Sequence, residues 1–423
     1  MRRPLAQLVH AAALFTMLVA AAGLAAQASA SPGGAIDQLR DWLAMPAAAR
    51  PDLASQSFAT MPLTRDEADE ATRQWWENHA AQVRTSRQTE WAGKSITIGD
   101  RTMKFEVRTF GDKPASGRSL FISMHGGGNA AARVNDSQWR NQIDLYKPAE
   151  GLYIAPRAPT NSWNLWHEGP MDALLDRLIE DSVVFGGVNP DRVYLMGYSA
   201  GGDGVYQLGP RMADRWAAAA MMAGHPNDAS PLNLRNVPFA IHVGEKDSGF
   251  GRNDIARKWG DQLDSLRKDD PEGYEHVVEL HAGRGHWMNL EDATALPWMA
   301  GHTRNPWPRR VVWRQSGGQS RLYWLAAPLE QRKAGAMVVA SIKGQEIVIE
   351  RAEGVTSLEI LLSDRILDMD QPIKVTSAGR TLFEGRASRT ARAIAASLDR
   401  RPDTHMCYSA VVALRLGPPA PDK

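Results

Sequence analysis

Ser199 stands between two glycines in "YLMGYSAGGDGVY" (residues 194–206), behind an apolar run and ahead of a stretch that can form a helix. A serine hydroxyl is a weak nucleophile at its own pKa. It needs a base within hydrogen-bond reach, an acid to orient that base, and N–H donors for a developing oxyanion. Around Ser199 the residues Gly197 and Gly201 permit the tight strand-to-helix turn of a nucleophile elbow. A helix starting near Ala200 would set a positive dipole end beside the oxyanion, and the Ala200 amide would be one donor. The second donor would come from "SLFISMHGGGN", a β-like run that ends in glycines and offers the amides at Gly127 and Gly128.

For the acid, "VPFAIHVGEKDSGF" places Glu245 and Asp247 after an apolar strand. Asp247 is favoured because it lies beyond the strand end, where a loop can carry it to a histidine, with Glu245 as the alternative. For the base, "HVVELHAGRGHWM" ends a strand and delivers His286 in a glycine-flanked loop, whereas His281 falls inside the strand pattern and reads as a packed residue. Serine, acid and histidine then follow in the chain order of this kind of elbow. The loop "APRAPTNSWNLWHEGPMD" adds Trp163 and Trp166 as candidate substrate contacts, joined by Asn129, His225 and Trp287 near expected strand ends.

The elements that must hold these residues can be read from the texture of the chain. Residues 31–94 have the mixed polar and apolar spacing of surface helices and form a helical N-terminal extension. From residue 95 to 305 short apolar runs such as "LYIAPRA", "RVYLMG" and "FAIHVGE" alternate with longer helical stretches, the sequence form of parallel strands joined by crossovers. After the proline-bearing "RNPWPRRVVW" the crossover spacing ends. Runs such as "AMVVASI", "EIVIE" and "SLEILLS", separated by turn signals, predict an antiparallel β domain over 311–423 with one helix near "ARAIAASLDR".

Composition narrows the function classes. Among 423 residues, 49 Lys and Arg balance 48 Asp and Glu, leaving no basic surplus for nucleic acid. A single cysteine, Cys407, permits no internal disulfide and no thiolate zinc cluster, and the 11 histidines form no H-E-x-x-H. Neither a metal nor a cofactor is expected. Residues 1–30 combine Arg2 and Arg3, an Ala-rich apolar stretch and a small-residue "ASA" ending, the make-up of a signal peptide. Export to the periplasm or the medium is the expectation, with no stable membrane span after cleavage.

Taken together, "HGGGN", "DRVYLMGYSAGGDG", "VGEKD" and "GRGHW" resemble secreted serine esterases of the phospholipase/carboxylesterase and polyhydroxybutyrate-depolymerase-like group, over about residues 95–300. The resemblance implies an α/β-hydrolase fold with a doubly wound, mostly parallel sheet. It further implies Ser199 as nucleophile, His286 as general base and acid, Asp247 as its orienter, and amides near Gly127 and Ala200 as the oxyanion hole. The substrate would be a small-molecule or polymeric ester. A serine peptidase of the prolyl-oligopeptidase type shares the triad order, and a catalytically inert polymer-binding or envelope-binding protein is the third reading.

Overall fold

The computed structural model describes residues 34–417, so the expected signal peptide lies outside the described residues. Helices α1 (Ala35–Ala44) and α2 (Arg65–Ala92) come first. α2 begins at a reciprocal cap: the Thr64 hydroxyl accepts from the Glu67 amide, and the Glu67 carboxylate accepts from the Thr64 amide. No helix among the described residues is long and apolar enough to cross a membrane.

An eight-stranded sheet follows. It is built from β1 (Ser95–Ile98), β2 (Arg101–Phe110), β3 (Arg118–Met124), β4 (Gly151–Pro156), β5 (Val188–Tyr198), β6 (Ala218–Met222), β7 (Phe239–Gly244) and β8 (His276–His281). The intervening helices are α3 (Ala132–Ile143), α4 (Met171–Gly186), α5 (Ala200–Arg211) and α6 (Arg252–Asp269), and the short α7 (Ala295–Ala300) comes after β8. The strand order is β1-β2-β4-β3-β5-β6-β7-β8, with β1, β2 and β4 paired antiparallel and every later pairing parallel. This order, with a serine turn between β5 and α5, is the α/β-hydrolase fold expected from the sequence.

The central strands read as unbroken apolar runs because helices cover both faces of the sheet. In β3, Leu120, Ile122 and Met124 enter one core while Phe121 enters the other. Such strands have no solvent-facing side, so their register is fixed by what packs above and below.

The remaining strands form a sandwich. One sheet has the order β10-β11-β14-β17, from β10 (Arg321–Leu322), β11 (Leu325–Ala326), β14 (Ser357–Leu362) and β17 (Ala410–Arg415). The other has the order β16-β15-β13-β12-β9, from β9 (Arg310–Arg314), β12 (Met337–Lys343), β13 (Glu346–Glu353), β15 (Ile373–Ser377) and β16 (Arg380–Gly385). Helix α8 (Ala391–Arg400) falls where the sequence predicts it. The expectation of an antiparallel domain holds for every pairing but one and needs correction there, because β13 and β15 run parallel. The chain crosses to the opposite sheet as β14 between them, and that crossover permits the parallel pairing.

The sandwich is not an appended module. Its inner residues, among them Trp313, Val338 and Ile360, belong to the same continuous core as Leu120 and Val205. The opposite face of its five-stranded sheet, with Val312, Met337 and Val339, meets Leu232 of the segment between β6 and β7. α8 packs with α1 and α2 in a third core that includes Leu39, Trp75 and Ile394. Fully buried Arg304 spans the junction, donating to Asp191 Oδ1 at 2.6 Å and to Asp403 Oδ2 at 2.8 Å. A buried pair of this kind fixes one docking geometry more than it adds stability.

Candidate active site

Ser199 occupies the turn between β5 and α5 with φ 57° and ψ −119°, a region that a non-glycine residue enters only under constraint. The constraint is visible on both sides. The Ser199 amide donates to Met222 O at 2.8 Å, and its carbonyl accepts from the Asp203 amide at 3.0 Å. The turn closes so tightly that a methyl group on Gly201 would stand 2.1 Å from Met124 O, which explains the second glycine of the motif.

Ser199 Oγ lies 2.9 Å from His286 Nε2, and His286 Nδ1 lies 2.8 Å from Asp247 Oδ2. Asp247 is 3 % exposed and ionisable, so it fixes the imidazole with Nδ1 as donor and Nε2 as acceptor from the serine. The structure separates the two candidate acids. Glu245 instead accepts from the Gly283 amide at 2.8 Å, bracing the loop that carries His286. His281 is buried and stacks on His242.

Tyr198, next to Ser199, carries no sequence signal of a role in the site. Its hydroxyl donates to His286 O at 2.6 Å and accepts from the Met288 amide at 3.0 Å, pinning the histidine loop from both sides of Trp287. Burial pushes its pKa up, so it stays a phenol. Tyr198→Phe leaves a buried amide without an acceptor. We expect a loss of about 1–3 kcal/mol in denaturant unfolding, with the fall in activity appearing in kcat; an unchanged unfolding midpoint would remove Tyr198 from this role.

The glycine loop after β3 is shaped by two buried polar side chains. His125 Nε2 accepts from the Ala158 amide at 3.2 Å, which leaves the proton on Nδ1 to be donated to Gly126 O at 2.6 Å. Burial lowers the His125 pKa to about 4, keeping the ring neutral in that tautomer. Asn135 of α3 is fully buried: its Oδ1 accepts from the Gly128 amide at 2.8 Å, and its Nδ2 donates to Ala130 O and Asn161 Oδ1. Gly128 is therefore not free to serve as an oxyanion donor, a correction to the sequence expectation. The amides of Gly127 and Ala200 have no protein partner among the described residues. Gly127 has φ +109°, and a side chain there would meet Asn135 Oδ1 at 2.2 Å, so only glycine fits.

A cleft of about 900 Å³ opens over these groups. Gly126, Gly127, Ser199 and His286 line it together with apolar Val134, Leu145, Trp287 and Leu290, while Gln138, Arg140, Asn141 and Asp144 make another part of the wall polar. Of the five substrate-contact candidates, Trp287 lines the cleft and is half exposed. Trp163 is also half exposed; its carbonyl lies against Gly128 and its ring meets Phe250 of the Asp247 loop edge to face at 5.6 Å. Asn129 is exposed and ties its amide to Ser162 O, outside the cleft walls.

Trp166 and His225 require correction. Trp166 is fully buried and donates from Nε1 to His125 O at 2.8 Å, so it supports the glycine loop from below and cannot touch substrate. His225 sits in a turn, its amide on Asp203 Oδ1 at 2.6 Å and its Nδ1 accepting from the Asn227 amide, and it does not line the cleft. Asn135 and Tyr198 escaped the sequence reading because an asparagine in a polar helix and a tyrosine ending an apolar strand carry no spacing signal.

No family model matches the chain, and no curated protein matches it in sequence. Solved structures similar to it include a thermostable esterase at 17% identity, covering 50% of this chain and 62% of that one, TM-score 0.37. The chain thus spans under two thirds of that esterase. Another is LpqC, a poly(3-hydroxybutyrate) depolymerase from Bordetella parapertussis, at 16% identity over 49% of this chain and 86% of that one, TM-score 0.36. S-Formylglutathione hydrolase from Agrobacterium tumefaciens is similar at 14% identity over 49% and 93%, TM-score 0.36.

Proposed function

We propose that the chain is an exported serine hydrolase that cleaves carboxylic esters through an acyl-enzyme. The observation that carries this reading is the hydrogen-bonded line from Ser199 Oγ through His286 to buried Asp247, at 2.9 and 2.8 Å, at the floor of an open cleft. In the forward step Ser199 Oγ attacks the ester carbonyl while His286 Nε2 takes its proton. The tetrahedral oxyanion is held by the Gly127 and Ala200 amides, the second at the positive end of α5. His286 then protonates the departing alcohol, and water repeats the sequence on the acyl-enzyme to release the acid. Asp247 orients the ring and stabilises the imidazolium in both halves.

Export rests on the charge pattern of residues 1–30. The open cleft supports a hydrolase over an inert role, since its volume lies in the range of small-molecule sites and Val134, Leu145, Trp287 and Leu290 offer apolar contacts for an acyl group. The test is a p-nitrophenyl ester series from acetate to palmitate, run beside fluorophosphonate labelling of folded protein. Turnover is expected from acetate through octanoate, since the cleft has room for more than an acetyl group. Labelling without ester turnover would move peptide substrates to the front, and neither labelling nor turnover would favour the binding protein.

A further inference from the structure

β7 and β8 run parallel, with His242 opposite Glu279 and Gly244 opposite His281. Residues two apart on a strand share a face, so His242, Glu279 and His281 project together from one side of this pair. One nitrogen or oxygen from each lies within 4.8 Å of the other two. Helix α6 separates the strands in sequence, so no linear spacing reveals the cluster, and a search for H-E-x-x-H or cysteine pairs passes over it.

The geometry suits a divalent cation. His242 Nδ1 and His281 Nε2 are 3.2 Å apart. Two nitrogens bound tetrahedrally to zinc at about 2.0–2.1 Å stand about 3.3 Å from each other. A single proton between the two rings accounts for the contact, and a cation in its place would be held by both. Behind His281, its Nδ1 lies 3.6 Å from Glu291 Oε2. That separation is too long for a hydrogen bond, but it sets a carboxylate on the side of the ring away from the cluster. His242 is buried, and its Nε2 has no hydrogen-bond partner. Glu279 is exposed, which leaves a path for the ion to enter. Asp292 is buried close by with Tyr146 on one oxygen, and Arg284 pairs with Glu291, so carboxylates outnumber cationic side chains around the cluster.

We propose that His242, Glu279 and His281 form a zinc-type divalent-cation site that clips the ends of β7 and β8, with water in the fourth position. Its place gives it consequence. Just beyond these strand ends, Glu245 donates its amide to His281 O and Lys246 donates to Arg284 O, joining the loop of Asp247 to the loop of His286. An ion bridging the two strands would stiffen both loops at their base without touching the reacting atoms.

The experiment is titration of the chelator-treated full chain with Zn²⁺ alone against a chromogenic chelator, with thermal unfolding in parallel. We expect one equivalent bound at micromolar or tighter affinity and a raised unfolding midpoint. Glu279→Gln, at an exposed position that should not disturb folding, should weaken binding at least tenfold, and His281→Gln should weaken it further. Activity of Glu279→Gln without zinc should equal that of the parent. Absence of one-to-one binding, or equal affinity in the parent and Glu279→Gln, would overturn the site. Neither result bears on ester cleavage, which the Ser199 variants test separately.

Discussion

Replacing Ser199 or His286 with alanine is expected to lower kcat by about 10⁶, because in the proposed triad the members act as one unit and the loss of either removes the whole pathway. Asp247→Ala should cost less, about 10⁴, since an unsupported imidazole still samples the productive tautomer. KM for a p-nitrophenyl butyrate substrate should change little in all three, because none of these side chains forms the apolar walls of the cleft. Steady-state rates on protein with an unaltered unfolding midpoint make the measurement. Ser199 is partly exposed at the cleft floor, so its truncation leaves no large cavity and folding should be preserved. A loss of only tenfold in Ser199→Ala would end the assignment of the nucleophile.

The order in which residues became legible follows from the kind of information each requires. The buried strands β3, β5, β6 and β7 are written as continuous apolar runs, and their alternation with helical stretches specifies a doubly wound sheet without knowledge of any contact. The turn at Ser199 was visible because a strained backbone recruits small residues at fixed offsets, and Gly201 has no space for even one methyl group. Glu245 and Asp247 could be ranked but not separated by spacing alone. Their division of labour depends on which carboxylate meets the Gly283 amide and which meets His286, two contacts made across a loop from β8.

Other features could not be read from the sequence at all, for one physical reason. Periodicity shows that a face is apolar but not what covers it. The outer face of β9 and β12 has the same composition whether it meets solvent-side residues of a separate domain or, as it does, Leu232 of the segment between β6 and β7. Trp166 illustrates the same limit. A tryptophan in a loop near a strand end is equally suited to a pocket wall or to a buried support, and only its donation to His125 O decides for the support. The parallel pairing of β13 with β15 likewise depends on the path of the chain through the opposite sheet, which turn signals do not encode.

Asn135→Ala tests the proposed oxyanion hole from a residue outside the cleft lining. The glycine loop has little of its own to hold it: Gly127 and Gly128 both sit at positive φ, where a free loop would sample many alternatives. Asn135 restrains it by taking the Gly128 amide on Oδ1 and reaching Ala130 O and Asn161 Oδ1 through Nδ2. Alanine removes all three bonds. The Gly127 amide then loses its aim at the oxyanion, and loss of one such donor costs about 2.7–4 kcal/mol, or 10²–10³ in kcat. KM should stay within about threefold, because ground-state contacts with the apolar walls are untouched. Merely loosened packing would lower stability without this split, so affinity for a boronic-acid transition-state analogue should be measured alongside and should fall in step with kcat/KM. Asn135→Asp keeps the acceptor for Gly128 and loses the donor to Ala130 O and Asn161 Oδ1, and it should recover part of the rate. Full kcat in Asn135→Ala would mean that the loop is held without it, by the His125 bond to Gly126 O and the Trp166 bond to His125 O.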